Sequence, residues 1–291
     1  MKDLSSRIDE EFNKIVSQET PLAGGIPSEA MFASINKSIR RRKMGRIAGI
    51  AAAIAFPVVF LLCSGWYLQN SYGIFDTSAK EYVVEAGVAE TVQAVFQEGS
   101  RVYLNAGSKL VYPEKFGLTS RDVRLDGEAY FEVSPDSGKP FVVDFESGSV
   151  RVYGTKFNVK AYSAENKFVV SLDEGSVKVV TDQKEFMMVP SDVLVCDNGR
   201  VAIHHGSDTG KNSLWRQNVI SFKEGTASEV FAQLSRMYGV DFVVQGFIPD
   251  IKFTFTTEKE SLKHILDELE LISSLNFRYD GNARVIVSDR H

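Results

Sequence analysis

The side chains best able to do chemistry in this chain are few and scattered. Two acidic pairs stand out, Asp126-Gly127-Glu128 and Asp173-Glu174-Gly175, and two carboxylates facing one sugar can hydrolyse a glycosidic bond. Both pairs fall at strand–turn positions, where solvated acids are ordinary, and neither has a third ligand or a partner base. His204 and His205 are adjacent, so on a strand they would point to opposite faces and could not share a metal. His264 and His291 stand apart from them and from each other. Two cysteines, Cys63 and Cys196, exclude a disulfide scaffold and every multi-cysteine zinc site. No G-x-S-x-G, P-loop, H-E-x-x-H or G-x-G-x-x-G occurs. The chain is therefore expected to carry no catalytic residue, no metal and no cofactor, with a glycan-acting envelope enzyme as the remaining catalytic alternative.

The elements that would position these residues are more informative. Residues 47–68 read IAGIAAAIAFPVVFLLCSGWYL, 22 residues without a charge. As a helix this is ~33 Å long against a hydrocarbon core of ~30 Å, which predicts a transmembrane span. Trp66 and Tyr67 would sit in one headgroup layer. Arg40, Arg41, Arg42, Lys43 and Arg46 lie at the other end and set the topology, because short basic flanks stay cytoplasmic. The 46 preceding residues are too many for a signal-peptide n-region. Phe60, Leu61 and Leu62 before Cys63 do not fit a lipoprotein box. Pro57, mid-span, pushes against the carbonyl of Ala53 and weakens the helix there; the pair is a candidate point of intramembrane cleavage.

Charge divides with this topology. The 291-residue chain has 33 basic and 38 acidic side chains, net −5, which argues against direct nucleic-acid binding. Nine basic and six acidic residues precede the span, and the remaining 24 and 32 follow it, so an acidic exported part is expected. Residues 1–46 form a short cytoplasmic helical segment in this reading. One amphipathic helix over about 4–16 carries Leu4, Ile8, Phe12, Ile15 and Val16, and a second from Ser28 carries Met31, Phe32, Ile35 and Ile39. So short a segment buries little surface, and its apolar stripes want a partner.

After a linker at 69–81, residues 82–205 alternate apolar and polar with period two and are punctuated by glycine turns. That predicts an all-β domain, sandwich-like or solenoid-like. Residues 214–291 predict a small α+β domain in the order β-α-β-β-α-β-β, with two helices on one face of a small sheet. Thr226 and Glu229 make a capping box there, with Val230, Phe231, Leu234 and Tyr238 facing inward, and Gly239 ends the helix.

The stretches VYLNAGSKLVYP (102–113), VRLDGEAYFEV (123–133), KPFVV (139–143), VYGTKFNVKAY (152–162) and LDEGSVKV (172–179) resemble the FecR family of transmembrane anti-sigma regulators. Residues 222–269 resemble the small domain that ends these proteins in Bacteroidetes-type bacteria, related to the short N-terminal domains of secretins and TonB-dependent transporters. The resemblance implies a single-pass inner-membrane protein with its N-terminus in the cytoplasm and its C-terminal region in the periplasm. It implies three kinds of partner: the signalling domain of a TonB-dependent outer-membrane transporter, membrane proteases, and an extracytoplasmic-function sigma factor. Ile8, Phe12, Phe32 and Ile35 are the candidate sigma contacts. Family members usually carry several cytoplasmic helices where this chain has 46 residues, so a membrane-tethered periplasmic binding module with a vestigial tail is the alternative.

Overall fold

The computed structural model describes residues 2–17, 36–37, 40, 53–68, 80–117, 119–182 and 184–290. The chain divides into two compact units, residues 1–67 and 68–291. In the first, helix α1 (Lys2–Val16) forms as the periodicity predicts, and the described part of a further helix, α2, covers 53–68. Residues 47–52 lie outside the described residues. Among those described, no helix is long and apolar enough to cross a membrane.

The second unit begins with strands β1 (Glu81–Ala86), β2 (Val92–Val95), β3 (Arg101–Leu104), β4 (Ser108–Pro113) and β5 (Arg121–Glu132). Four more follow, β6 (Phe141–Phe145), β7 (Gly148–Val152), β8 (Lys156–Ala161) and β9 (Lys167–Glu174). The set closes with β10 (Val177–Val180), β11 (Glu185–Met188), β12 (Val193–Asp197) and β13 (Arg200–His204). All thirteen join in one sheet, ordered β11-β10-β7-β6-β5-β8-β9-β12-β13 along its main path. Of the two shapes expected from the alternation, the sandwich is the one formed, by a single sheet curling over on itself.

Strand β5 makes the curl. Its first half pairs with β4 and, in parallel, with β6; from Gly127 onward it pairs with β8 and β3. Inward-facing residues from both halves meet in one core. Phe131 stacks on Phe157 with centroids 5.0 Å apart, and Phe145 of β6 meets Phe168 of β9 at 4.9 Å. Each buried phenylalanine removes enough apolar surface to stabilise the fold by roughly 2 kcal/mol. At the outer border β1 pairs with β4 alone.

A 3-10 helix (Thr209–Gln217) leads from β13 into the α+β part, straddling the boundary expected at 214. There the order is β14 (Val219–Thr226), α3 (Ala227–Tyr238), β15 (Asp241–Gln245), β16 (Lys252–Glu258), α4 (Leu262–Ile272), β17 (Leu275–Tyr279) and β18 (Arg284–Asp289). The seven elements follow the predicted sequence. The capping box is present in full, and Gly239 caps α3 in the left-handed conformation. One expectation is corrected. The strands form two small sheets rather than one, β14-β16 and β15-β18-β17. Consecutive strands β15 and β16 do not pair with each other: β15 pairs in parallel with β18, and β16 antiparallel with β14. Tyr238 packs against the core from a half-buried position, its hydroxyl donating to the Glu260 carbonyl at 2.7 Å, and Met237 is buried beside it.

Candidate functional site

Strand β5 alternates buried and exposed up to Asp126, and then Glu128, Ala129, Tyr130 and Phe131 are all buried. Alternation stops because the second half of β5 is covered on both faces. Ala129 and Phe131 face the core; Glu128 and Tyr130 face outward and are roofed by the 3-10 helix. Trp215, itself buried, donates from Nε1 to Asn158 Oδ1 at 3.3 Å. The Arg216 guanidinium lies 3.5 Å over the Tyr130 ring and 3.6 Å from Glu132. Asn212 Nδ2 donates to Ser171 Oγ at 2.6 Å.

Glu128 is the centre of this floor. Asn158 Nδ2 donates to its Oε1 at 3.0 Å and Asn105 Nδ2 to its Oε2 at 2.9 Å, so each oxygen has a donor. A buried carboxylate needs such partners, since leaving it bare costs several kcal/mol. Of the acidic pairs singled out in the sequence, Asp126 and Glu174 are exposed as expected, Asp173 is half-buried and only Glu128 is buried, and the four make separate contacts. Asp126 accepts from Ser163 N and Oγ, Asp173 accepts from the Tyr130 hydroxyl at 2.8 Å, and Glu174 pairs with Lys156 at 2.7 Å. Burial, together with the bond to Asp173, pushes the Tyr130 phenol well above its ordinary range. Among the described residues no group of three or more His, Cys, Asp or Glu side chains is placed to hold a metal ion.

Beside this floor, α3 is tied to the β strands at both of its ends. Glu229 closes the helix N-terminus in the capping box and also pairs with Lys167 of β9. Near the C-terminus Arg236 pairs with Glu165 at 2.9 Å, and its guanidinium stacks 3.7 Å over Tyr162. The Arg236 carbonyl accepts from Ala89 N at 2.9 Å, which satisfies one of the carbonyls a helix end leaves open. Gly107 makes room for this contact, because a Cβ there would stand 3.2 Å from Arg236 Cδ.

Two carboxyls of the second unit set its acid sensitivity. Burial alone would raise Glu229, but the Lys167 ammonium and the Thr226 N–H outweigh it and hold the carboxyl below its ordinary 4.5. Asp192 behaves alike: burial is outweighed by the Val189 N–H and by His205, whose Nδ1 lies 2.7 Å away, and the group stays below 3.8. A carboxyl depressed in the folded state contributes stability that is complete above its unfolded value and is lost as pH falls through the folded one. The urea midpoint of residues 68–291 is therefore expected to drop between about pH 5 and about pH 3. Asp192→Asn and Glu229→Gln should each flatten part of that drop.

The residues singled out in the sequence are dispersed. On α1, Ile8 and Phe12 are 53% and 55% exposed, and with Ile15 and Val16 they form an uncovered apolar stripe. Phe32 and Ile35 lie outside the described residues. Arg40 is helical and exposed, while Arg41, Arg42, Lys43 and Arg46 lie outside the described residues. Ala53 and Pro57 belong to α2 and are exposed, and Ile54, Phe56, Phe60, Leu61, Leu62 and Trp66 beside them are each more than 60% exposed. Trp215, Arg216 and Arg236 are not singled out in the sequence, and Asn158 stands only as a polar position within the stretch 152–162. The one signal available in the sequence is an asparagine set within an apolar strand. On the α+β part, β15 has a free edge beside a cavity of about 710 Å³ lined by Phe231, Phe242, Phe247 and Ile248.

The second unit is a curled β sheet carrying a docked α+β part, the two joined by ion pairs. Residues 82–178 match the family model described as FecR protein, and residues 219–287 match the one described as FecR, C-terminal. Together they cover more than half of the chain, which belongs to the FecR family. Two crystal structures of a candidate anti-sigma factor from Parabacteroides distasonis are similar to it. One is 28% identical over 71% of this chain and 98% of that one, with a TM-score of 0.68. The other is 28% identical over 72% and 99%, with a TM-score of 0.70. No curated protein matches the chain.

Proposed function

We propose that this protein is an anti-sigma regulator that spans the bacterial inner membrane once, holding an extracytoplasmic-function sigma factor on the cytoplasmic side and reading a TonB-dependent transporter on the periplasmic side. The observation that carries the reading is the pair of family regions, in order on one chain, in a fold similar to a candidate anti-sigma factor. Supporting the membrane assignment, α2 leaves its large apolar side chains uncovered where a soluble helix would bury one face. The basic run 40–46 supports an N-terminus on the cytoplasmic side. In this reading α1 presents Ile8 and Phe12 to the sigma factor, and the free edge of β15 receives a strand of the transporter's signalling domain. Cleavage near Ala53 and Pro57, where the helix is weakest, then releases the cytoplasmic segment.

The test is co-purification of the tagged full chain with the sigma factors of its host. One sigma factor is expected at one-to-one stoichiometry. Ile8→Asp together with Phe12→Asp is expected to weaken its binding by ~100-fold, about 2.8 kcal/mol. Unchanged binding by the double variant would remove Ile8 and Phe12 as the contact, whereas no co-purified sigma factor, or unchanged target-gene expression after deletion of residues 1–39, would overturn the proposal in favour of a tethered binding module.

A further inference from the structure

We infer that the β sheet and the C-terminal α+β part form one mechanical body without a working hinge, locked by helix α3 and the 3-10 helix that precedes it. Segments that let two folded parts move are exposed and polar, and few contacts cross them. Here the connecting segment is itself packed down. Trp215 is 7% exposed and bonded to Asn158, Arg216 covers Tyr130, and Thr209 and Ser213 are buried.

The helix that follows is fastened through two residues, one near each end, to the β8–β9 turn region and to the turn after β1. Glu229 binds Lys167 on β9, Arg236 binds Glu165 and stacks on Tyr162 in the turn before β9, and the Arg236 carbonyl takes the Ala89 N–H from the turn after β1. Contacts near both ends of α3, made by side chains and by backbone, oppose its swinging away from the sheet. Both Arg236 and Glu165 have side chains only 19% exposed, so water screens their pairing less than that of a surface pair. Glu229 cannot release Lys167 by swinging away without also giving up the bond its Oε2 accepts from the Thr226 N–H, one half of the capping box. A ligand at the free edge of β15 would therefore move the whole body, and no signal would be read out as a change of angle between its parts.

The experiment uses the full chain in detergent micelles, with Cys63→Ser and spin labels on cysteines placed at Asp182 and Asn282. Wild type is expected to give one narrow distance population by pulsed electron resonance. Lys167→Ala with Arg236→Ala is expected to broaden it and to speed amide exchange in α3 by about tenfold or more, with exchange in β5 and β8 unchanged. Should that variant fail to fold, Arg236→Met keeps the packing on Tyr162, removes the charge, and is expected to show the same broadening to a smaller degree. A broad distribution in wild type would overturn the inference. So would a narrow one that survives in the variants, since the named contacts would then not be the lock.

Discussion

Gly127→Ala is expected to cost the second unit at least ~4 kcal/mol, enough to leave little folded protein if the unit has ordinary stability. Gly127 is where β5 passes from one half of the curled sheet to the other, and its φ of +123° is a conformation open almost only to glycine. A Cβ at this position would stand 2.5 Å from Ser108 Cβ and 2.6 Å from Ser108 Cα. Ser108 cannot retreat, because its hydroxyl donates to the Glu128 carbonyl at 3.1 Å and accepts from the Glu128 N–H at 2.8 Å. Any relief of the clash therefore disturbs the strand pairing and the Glu128 floor together. Gly199→Ala is the matched control. Its φ of +76° also favours glycine, but nothing lies within 4 Å of the added methyl, so a loss of only ~1 kcal/mol is expected. Urea unfolding of residues 68–291 reads both, and similar losses at the two sites would show that crowding at Ser108 is unimportant.

Arg121→Met has the next largest expected effect, a loss of ~3 kcal/mol in the same measurement. The Arg121 side chain is 3% exposed. Its Nη1 lies 3.2 Å from Glu98 Oε1 and donates to the Ser134 carbonyl at 3.0 Å, and its Nε donates to the Lys139 carbonyl at 3.1 Å. One guanidinium thus staples the turn between β2 and β3 to the loop between β5 and β6. Glu98 in turn accepts from Ser100 N and Oγ, and Ser100 Oγ accepts from Ser134 N. Methionine fills the volume on Phe141 yet strands two carbonyls and a carboxylate, and that stranding is the cost. Arg121→Lys should recover only part of it, since an ammonium cannot present the same fork of donors. Equal stability of the methionine variant and wild type would mean the loops hold each other without the staple.

The sequence made the α+β part legible because its signals are local. Thr226 with Glu229 starts α3, Gly239 ends it, and stripes such as Ile265, Leu266 and Leu269 fix the buried face of α4. The β part was legible as strands, since Val150, Val152, Phe157 and Val159 alternate as a one-sided sheet requires. Its pairing order was not. β5 and β6 pair in parallel, and β8 returns to β5 rather than to its neighbour β7, choices settled by contacts between distant residues. The junction was hidden for a related reason. Glu128 and Asn158 look like outward, solvated positions until Trp215, 57 residues beyond Asn158, is known to lie on top of them.

The placement of β1 at the border of the sheet bears on how far the chain can reach. Six residue pairs tie it to β4, from Glu81–Pro113 to Ala86–Ser108, and of its own six residues only Ala86 is buried. The ion pairs it makes, Glu81 with Arg124 and Glu85 with Lys109, are exposed and add little. Detaching it is a local opening far cheaper than unfolding the core. Six residues released in extended form would lengthen the leash in front of the sheet by ~20 Å. The same step would bare a fresh edge on β4. Slack and a new edge would then appear together, drawn from a strand the core can spare.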